Sequence, residues 1–131
     1  MTTLKFRAWD KKCNEMFKDT FAITESGQVI IVEQESVFDT PDYVFTDDLI
    51  IMQSTGLFDE YGKEIFDGDI LHTPDNELAK VFWNDDLAGW FVDFLYEIAE
   101  LSEVADIQSN RSICAIVGNI YENPELMEEE E

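Results

Sequence analysis

The single histidine of the chain, His72, lies close in sequence to two carboxylates, Asp67 and Asp69. A general base needs hydrogen-bond reach to the proton that it abstracts, and a neighbouring carboxylate can orient its ring. These residues carry one catalytic hypothesis, an enzyme built on an Asp67, Asp69 and His72 cluster, with or without a metal ion. A lone histidine in an apolar strand is more often a packing residue, so we assign no catalytic residue.

The cation-binding patterns of the chain are incomplete. An EF-hand loop needs oxygen ligands at its first, third and fifth positions, whereas a loop beginning at Asp59 places Tyr61 and Lys63 at the third and fifth. Cys13 and Cys114 lie far apart and lack the paired spacing of zinc or redox sites. The phosphate-loop, dinucleotide, zincin and hydrolase motifs are all missing from the sequence. We therefore assign no metal site and no cofactor site.

Charge is the most unusual property of the sequence. The chain has 30 acidic and 8 basic residues and a formal net charge of -22, and only residues 1–19 are net basic. A body of this charge repels phosphate backbones, so we expect no direct binding of nucleic acid. The charge serves either solubility or the binding of a basic partner. No apolar run approaches the ~18 residues of a membrane span, and basic residues interrupt any N-terminal signal peptide, so we expect a cytoplasmic protein without membrane contact.

The elements that would position these residues are mostly strands. Residues 4–9 alternate apolar and polar side chains, which predicts a half-buried strand, and residues 28–33 form a β-branched run. Residues 59–62 suit a type I turn with Gly62 in the left-handed position, which would close a hairpin. Four large aromatics could form an exposed binding face, but we favour their packing in the core of a small barrel: Trp9, Trp83, Trp90 and Phe91.

One stretch changes its period from two to that of a helix. Phe94, Ile98, Leu101 and Ala105 fall on one helical face, which predicts a helix of about three turns near residues 94–106. Residues 123–124 (Asn-Pro) predict the start of a short C-terminal helix. The expected fold is α+β and β-rich, a small, twisted, partly closed antiparallel sheet with one helix and an N-terminal β-hairpin region. We place the hairpin region at residues 1–48 and the β-rich core at residues 49–131.

Three segments of the sequence form a recognisable set: residues 5–10 (KFRAWD) with Met16 after them, residues 52–57 (MQSTGL) through 62–70 (GKEIFDGDI), and residues 117–126 (VGNIYENPEL). Together they resemble the YopX-like proteins of temperate phages and prophages in Gram-positive bacteria. The family usually has Tyr and Glu where this chain has Phe66 and Asp67. The resemblance implies a phage accessory protein in the host cytoplasm. It implies no activity, cofactor or catalytic residue, so no site is carried over.

These observations favour a non-enzymatic phage or prophage interaction module that binds a host or phage protein. Two alternatives stay open, an acidic decoy of a host nucleic-acid-binding protein and the enzyme described above. Self-association is a further expectation. Lys5, Arg7 and Trp9 share one face of the first strand, and this face either meets acid on a second subunit of a homo-oligomer or neutralises the chain's own body.

Overall fold

The computed structural model describes residues 5–106 and 108–127. Strands dominate this part of the chain, and the helical turns are two short 3₁₀ helices at Leu101–Val104 and Pro124–Met127. The strands are β1 (Phe6–Asp10), β2 (Glu15–Met16), β3 (Thr20–Ile23), β4 (Val29–Glu33), β5 (Asp42–Phe45), β6 (Leu49–Phe58), β7 (Glu64–Phe66), β8 (Asp69–His72), β9 (Leu78–Asn84), β10 (Gly89–Asp93), β11 (Ile98–Glu100), β12 (Ala105–Asp106), β13 (Arg111–Ser112) and β14 (Ala115–Asn119).

The described strands form three open sheets, so the expectation of a β-rich fold is confirmed. One sheet has the order β12-β13-β6-β1-β2, with β7 also paired to β6, and a second has the order β11-β10-β9-β8-β14. The third contains β3, β4 and β5 in sequence order. Hairpin pairs such as β9 and β10 are antiparallel, whereas β13 meets β6 in parallel. None of the three sheets closes on itself, which corrects the expectation of a partly closed sheet.

The chain divides into two compact units. Residues Arg7–Ile51 form one of them, called here the insert unit, and the described residues on either side form the other, called the core unit. The chain enters the insert unit within β1 and leaves it within β6. Leu4, which belongs to the first strand expected from the sequence, lies outside the described residues.

A cluster of fully buried aliphatic side chains forms the centre of the core unit. Val81 and Val92 are directly paired across β9 and β10, and both are completely buried. Leu71 and Ile65 pack into the same cluster from β8 and β7. Each side chain of this kind contributes roughly 1.5–3 kcal/mol when it is removed from water. The alternation of strands β7 to β10 therefore specifies one core.

The predicted helix near residues 94–106 is wrong. The segment contains β11, the 3₁₀ helix Leu101–Val104 and β12 instead. Its chain reverses just after β10, because Leu95 has a left-handed φ of 77° and its amide N–H donates to the Asp93 carboxylate at 2.8 Å. Strand pairing then competes with the helical period, since Asp93 pairs with Ile98. Ile98 is 51% exposed, so the apparent apolar face is not a buried one.

Other local predictions agree with the structure. Gly62 has a φ of 85° in the turn after β6, and its amide N–H donates to the Asp59 carbonyl at 3.0 Å. The short 3₁₀ helix Pro124–Met127 lies where Asn123 and Pro124 predict a helical start. No α-helix forms within residues 5–106 and 108–127. In that part of the chain, no helix has the length and apolar character needed to cross a bilayer.

Candidate interaction surface

The three-stranded sheet of the insert unit is exposed on both of its faces. None of the residues of β3, β4 and β5 is buried, and every residue of β5 is exposed. An antiparallel sheet in a globular protein normally packs one face on a core and leaves the other to water. The β3-β4-β5 sheet therefore offers surface that its own chain does not cover.

One face of this sheet consists entirely of uncharged residues. The register places two rows of directly opposed residues across the three strands, and opposed residues share a face. We call this surface the apolar face: Thr20, Val32 and Tyr43 in one row and Ala22, Ile30 and Phe45 in the other. Tyr43 is 66% exposed and Phe45 is 64% exposed. An uncharged surface with two open aromatics is unusual in a chain whose formal net charge is -22.

The opposite face of the sheet is also largely apolar, but it carries one charged pair, Glu33 opposite Asp42. Phe21, Ile31 and Val44 form its central row, and the ring of Phe17 packs edge-on against Phe21 with centroids 6.2 Å apart. A groove at the Thr20–Val32 end of the sheet is lined by residues of both faces and by the carboxylates of Asp19, Glu33 and Glu35. Because this face carries both a covering aromatic ring and acidic groups, it is the less open of the two.

Strand β5 also presents a free backbone edge, since β4 is its neighbour in the sheet and no described strand pairs with its other side. The amide N–H of Thr46 donates to the carbonyl of Val29 at 3.0 Å, which fixes the alternation of the ladder. In an antiparallel pair, alternate residues direct their backbone groups toward the partner strand. The N–H and C=O groups of Tyr43 and Phe45 consequently point to the open edge.

The segment that contains this sheet is strongly acidic. Residues 19–48 contain eight carboxylates and no lysine, arginine or histidine. Four of these carboxylates lie within six residues of β5, namely Asp39, Asp42, Asp47 and Asp48. The apolar face therefore stands within a segment of net charge -8, a result of eight negative and no positive residues.

The structure does not bring His72 and Asp69 together as the catalytic hypothesis requires. Both lie on β8, three positions apart, so alternation directs their side chains to opposite faces of the sheet. Nε2 of His72 lies 2.7 Å from Oδ1 of Asn76, across the turn that follows β8. Asp69 is 1% exposed, and its carboxylate accepts the amide N–H of Phe66 at 2.8 Å. The histidine and this aspartate each stabilise a turn.

Asp59, the first residue of the rejected calcium loop, is a buried carboxylate held by backbone donors. It accepts the amide N–H groups of Tyr61 at 2.9 Å, Lys63 at 2.8 Å and Ile116 at 3.0 Å, and it is 2% exposed. Burial raises the pKa of Asp59, but these three hydrogen bonds and the nearby Lys63 charge outweigh it and hold the pKa below its ordinary value. Because both oxygens of the Asp59 carboxylate already accept backbone N–H groups, this residue is engaged as an anion and is not arranged as a cation ligand.

The described residues also contain no group of three or more histidines, cysteines, aspartates or glutamates arranged to hold a metal ion. Cys114 is 1% exposed, and burial raises the pKa of its thiol. A thiol with a raised pKa is a poor nucleophile and a poor metal ligand at neutral pH. Cys114 is therefore a packing residue of the buried core cluster.

The four large aromatics divide between core and surface. Trp9 is 5% exposed and Phe91 is 7% exposed, in agreement with the expected packing role. Trp83 is 45% exposed and lies edge-on against the half-buried Trp90, with ring centroids 5.3 Å apart. Trp83 is therefore the exception to the expectation that all four fill a core.

The basic first strand interacts at least partly with its own chain. Nζ of Lys5 lies 3.4 Å from a carboxylate oxygen of Glu64, and the lysine side chain is 60% exposed. Trp9, expected on the outward cationic face, is buried. Lys5 is thus paired within its own chain, and self-association through the basic face stays a prediction. Such an exposed ion pair contributes at most about 1 kcal/mol.

Sequence reasoning missed Tyr43 and Phe45, the most open aromatics of the apolar face. The local signal was present, since Asp-Tyr-Val-Phe alternates directly after Pro41 and Pro is common before an edge strand. The absence of any basic residue between residues 19 and 48 was a second signal. Neither signal reveals that the aromatic side chains remain uncovered, because that depends on tertiary packing.

Fold and surface together define a small β-rich protein in which an insert unit with an open sheet interrupts a well-packed core unit. The family model of the YopX protein matches residues 5–128. The chain belongs to this family, and the resemblance read from its sequence motifs is thereby confirmed.

Two solved structures resemble the chain over nearly its whole length. The crystal structure of protein EF1440 from Enterococcus faecalis has 28% sequence identity and a TM-score of 0.62, and the match covers 98% of this chain and 100% of that chain. Protein YopX from Bacillus subtilis has 20% identity and a TM-score of 0.65, with the same coverage. The second likeness shows the fold alone. A search of curated proteins finds no match.

The family motifs mostly stabilise turns of the core unit through bonds from side chains to the backbone. The Asn119 side-chain oxygen accepts the amide N–H groups of Tyr121 at 3.0 Å and Glu122 at 2.9 Å. Asn123 in turn accepts the Asn119 N–H at 3.3 Å. The segments that carry the resemblance lie outside residues 19–48, so they specify the scaffold and not the apolar face.

Proposed function

We propose that the protein is a non-enzymatic interaction module, a phage or prophage accessory protein of the host cytoplasm, whose apolar face binds a protein partner. The observation that carries this proposal is the exposure of Tyr43 and Phe45 on an uncharged sheet face. Burial of the exposed parts of two such rings removes roughly 200–300 Å² from water, worth about 5–8 kcal/mol.

That energy is comparable to the cost of association, so the two rings would act as anchors within a larger contact. A stable interface buries about 800 Å² on each partner. The loop between β4 and β5 can extend the contact, since Val37 is 85% exposed and Phe38 is 95% exposed. Aromatic anchors surrounded by polar rim residues are the usual pattern of energetic hot spots.

The acidic decoy is the second candidate, and the eight carboxylates without a basic residue in residues 19–48 favour it. A decoy would occupy the nucleic-acid site of its target, whereas a general module would bind elsewhere. The enzyme alternative has less support, because Asp69 and His72 direct their side chains to opposite faces of β8. The decoy predicts that nucleic acid displaces the bound partner.

The test is affinity capture from host lysate with wild type and with Tyr43→Ser/Phe45→Ser, each with and without nuclease. We expect the double variant to lose the specific partner by at least ten-fold. Tyr61→Ser/Leu87→Ser is the matched control, because it removes similarly exposed side chains of the core unit, 80% and 61% exposed. Equal capture by all three proteins, with folding verified by circular dichroism, would remove the proposal.

A further inference from the structure

Strand β5 combines three properties at one place in the insert unit. Its outer edge is open, its edge-facing backbone groups belong to Tyr43 and Phe45, and carboxylates stand at both of its ends. An extended peptide can add a strand to such an edge, where the backbone supplies the hydrogen bonds and alternate side chains supply specificity. The edge thus offers a binding mode as well as an apolar surface.

The charge of the segment selects among possible occupants. Asp39, Asp42, Asp47 and Asp48 lie around β5. One lysine stands beside them, since the amide N–H of Lys11 donates to the carbonyl of Asp48 at 2.8 Å, so carboxylates remain in excess there. A second copy of the chain would bring the same carboxylates to the same edge, and like charges opposed across strands are destabilising. Acidic residues on an edge strand are a recognised protection against pairing with identical chains. The same residues attract a strand that carries lysine or arginine.

We infer that the open edge of β5 binds an extended basic segment of a partner protein by antiparallel strand addition. The inference rests on the proposed function and specifies its partner class and binding mode. Tyr43 and Phe45 each supply one N–H donor and one C=O acceptor to the added strand. The basic side chains of that strand lie near the four surrounding carboxylates, and its apolar side chains continue the row that ends at Phe45.

The probe is a seven-residue peptide in which lysine or arginine alternates with valine, with both ends blocked. We expect binding to shift the amide resonances of Tyr43 and Phe45 and to slow their hydrogen exchange at least ten-fold. The amides at the open edge of β3 serve as the internal control and should change little. Binding should weaken several-fold between 0.05 and 0.2 M salt, because charge attracts the peptide.

Backbone methylation of the peptide separates strand addition from plain charge attraction. Only alternate residues of an added strand direct their N–H groups to the neighbouring edge. N-methylation of one alternate set should therefore weaken binding at least ten-fold, whereas methylation of the other set should change it less than three-fold. Equal effects of the two methylated peptides would overturn strand addition. A peptide with glutamate in place of the basic residues should not bind, and its equal binding would overturn the basic partner.

The outcomes also distinguish this inference from the proposed function. If Tyr43→Ser/Phe45→Ser loses the captured partner while the methylated peptides behave alike, the apolar face binds a partner and strand addition is wrong. If the variant keeps its partner and the peptide does not bind, both proposals fail. Slow exchange of the Tyr43 and Phe45 amides in concentrated protein alone would show that a second copy occupies the edge, which also contradicts the inference.

Discussion

Replacement of Asp59 by alanine deletes a carboxylate that accepts three backbone N–H groups. A hydrogen bond to a charged group contributes about 1.5–3 kcal/mol. Water can replace the carboxylate at Tyr61 and Lys63, which lie in an exposed turn, but less readily at Ile116 on β14. We therefore expect Asp59→Ala to lower the free energy of unfolding by about 3–5 kcal/mol.

Asp59→Asn is the more informative variant. Its side-chain amide keeps one oxygen to accept the N–H groups of the turn, but it places an NH2 group opposite the backbone N–H of Ile116, where the carboxylate had an acceptor. We expect a loss of about 2–3 kcal/mol at neutral pH. The pKa of Asp59 is lowered in the folded state, so the carboxylate contributes fully above its ordinary pKa near 3.8. That contribution is lost as the pH falls through the lower folded pKa. The stability gap between wild type and Asp59→Asn should narrow below about pH 4.

Urea unfolding followed by circular dichroism between pH 3 and pH 7 measures both effects. Asp86→Asn is the matched control, because it removes one negative charge from an exposed turn of the same unit. The control should differ from wild type by less than about 0.5 kcal/mol at every pH. The reasoning fails if Asp59→Asn is as stable as the control, or if its deficit is constant down to the lowest pH at which the protein folds.

Three further outcomes are expected. Gly118→Ala should cost about 2–3 kcal/mol in urea unfolding, since the added Cβ would lie 2.8 Å from Cγ of Asn123. Adding Asn123→Gly should recover part of this loss, and no recovery would contradict the clash. His72→Ala should cost about 1 kcal/mol by losing its bond to Asn76 and should leave partner capture intact. Abolition of a measured biological effect in a His72→Ala protein that still folds by circular dichroism would revive the catalytic hypothesis. Raising sodium chloride from 0.01 to 0.1 M should raise the melting temperature, because salt screens self-repulsion beyond about 10 Å. A fall in melting temperature would contradict this.

Elements whose conformation depends mainly on residues adjacent in the chain could be predicted from the sequence. The turn at Gly62 follows from the conformational freedom of glycine, and β4 follows from the β-branched run of residues 28–33. The prediction of a helix near residues 94–106 is wrong, because the helical spacing of its apolar residues does not correspond to a buried face. Pairing with β10 and the side-chain bond of Asp93 to Leu95 determined the conformation there.

The role of Asp59 and the exposure of the apolar face depend on contacts between residues that are far apart in the chain. The local sequence presents Asp59 as the start of an incomplete EF-hand pattern, whereas one of its hydrogen-bond partners is the amide of Ile116, which is 57 residues away. The exposure of Tyr43 and Phe45 could not be read from their types, since aromatic residues in strands are usually covered. The net charge can be read from the sequence, but the strand register is needed to show that uncharged side chains share one face of the sheet.

The insert unit leaves and rejoins the core unit at neighbouring points of one sheet. The amide N–H of Ser54 donates to the carbonyl of Lys5 at 2.8 Å, just outside the two boundaries of Arg7–Ile51. Loop-closure entropy grows only with the logarithm of loop length, so the core unit is nearly indifferent to how long the intervening segment is. Recombination between related genes at these two points would exchange the whole open sheet as a cassette. If the open sheet binds a partner as proposed, such an exchange would replace the binding surface and leave the scaffold unchanged.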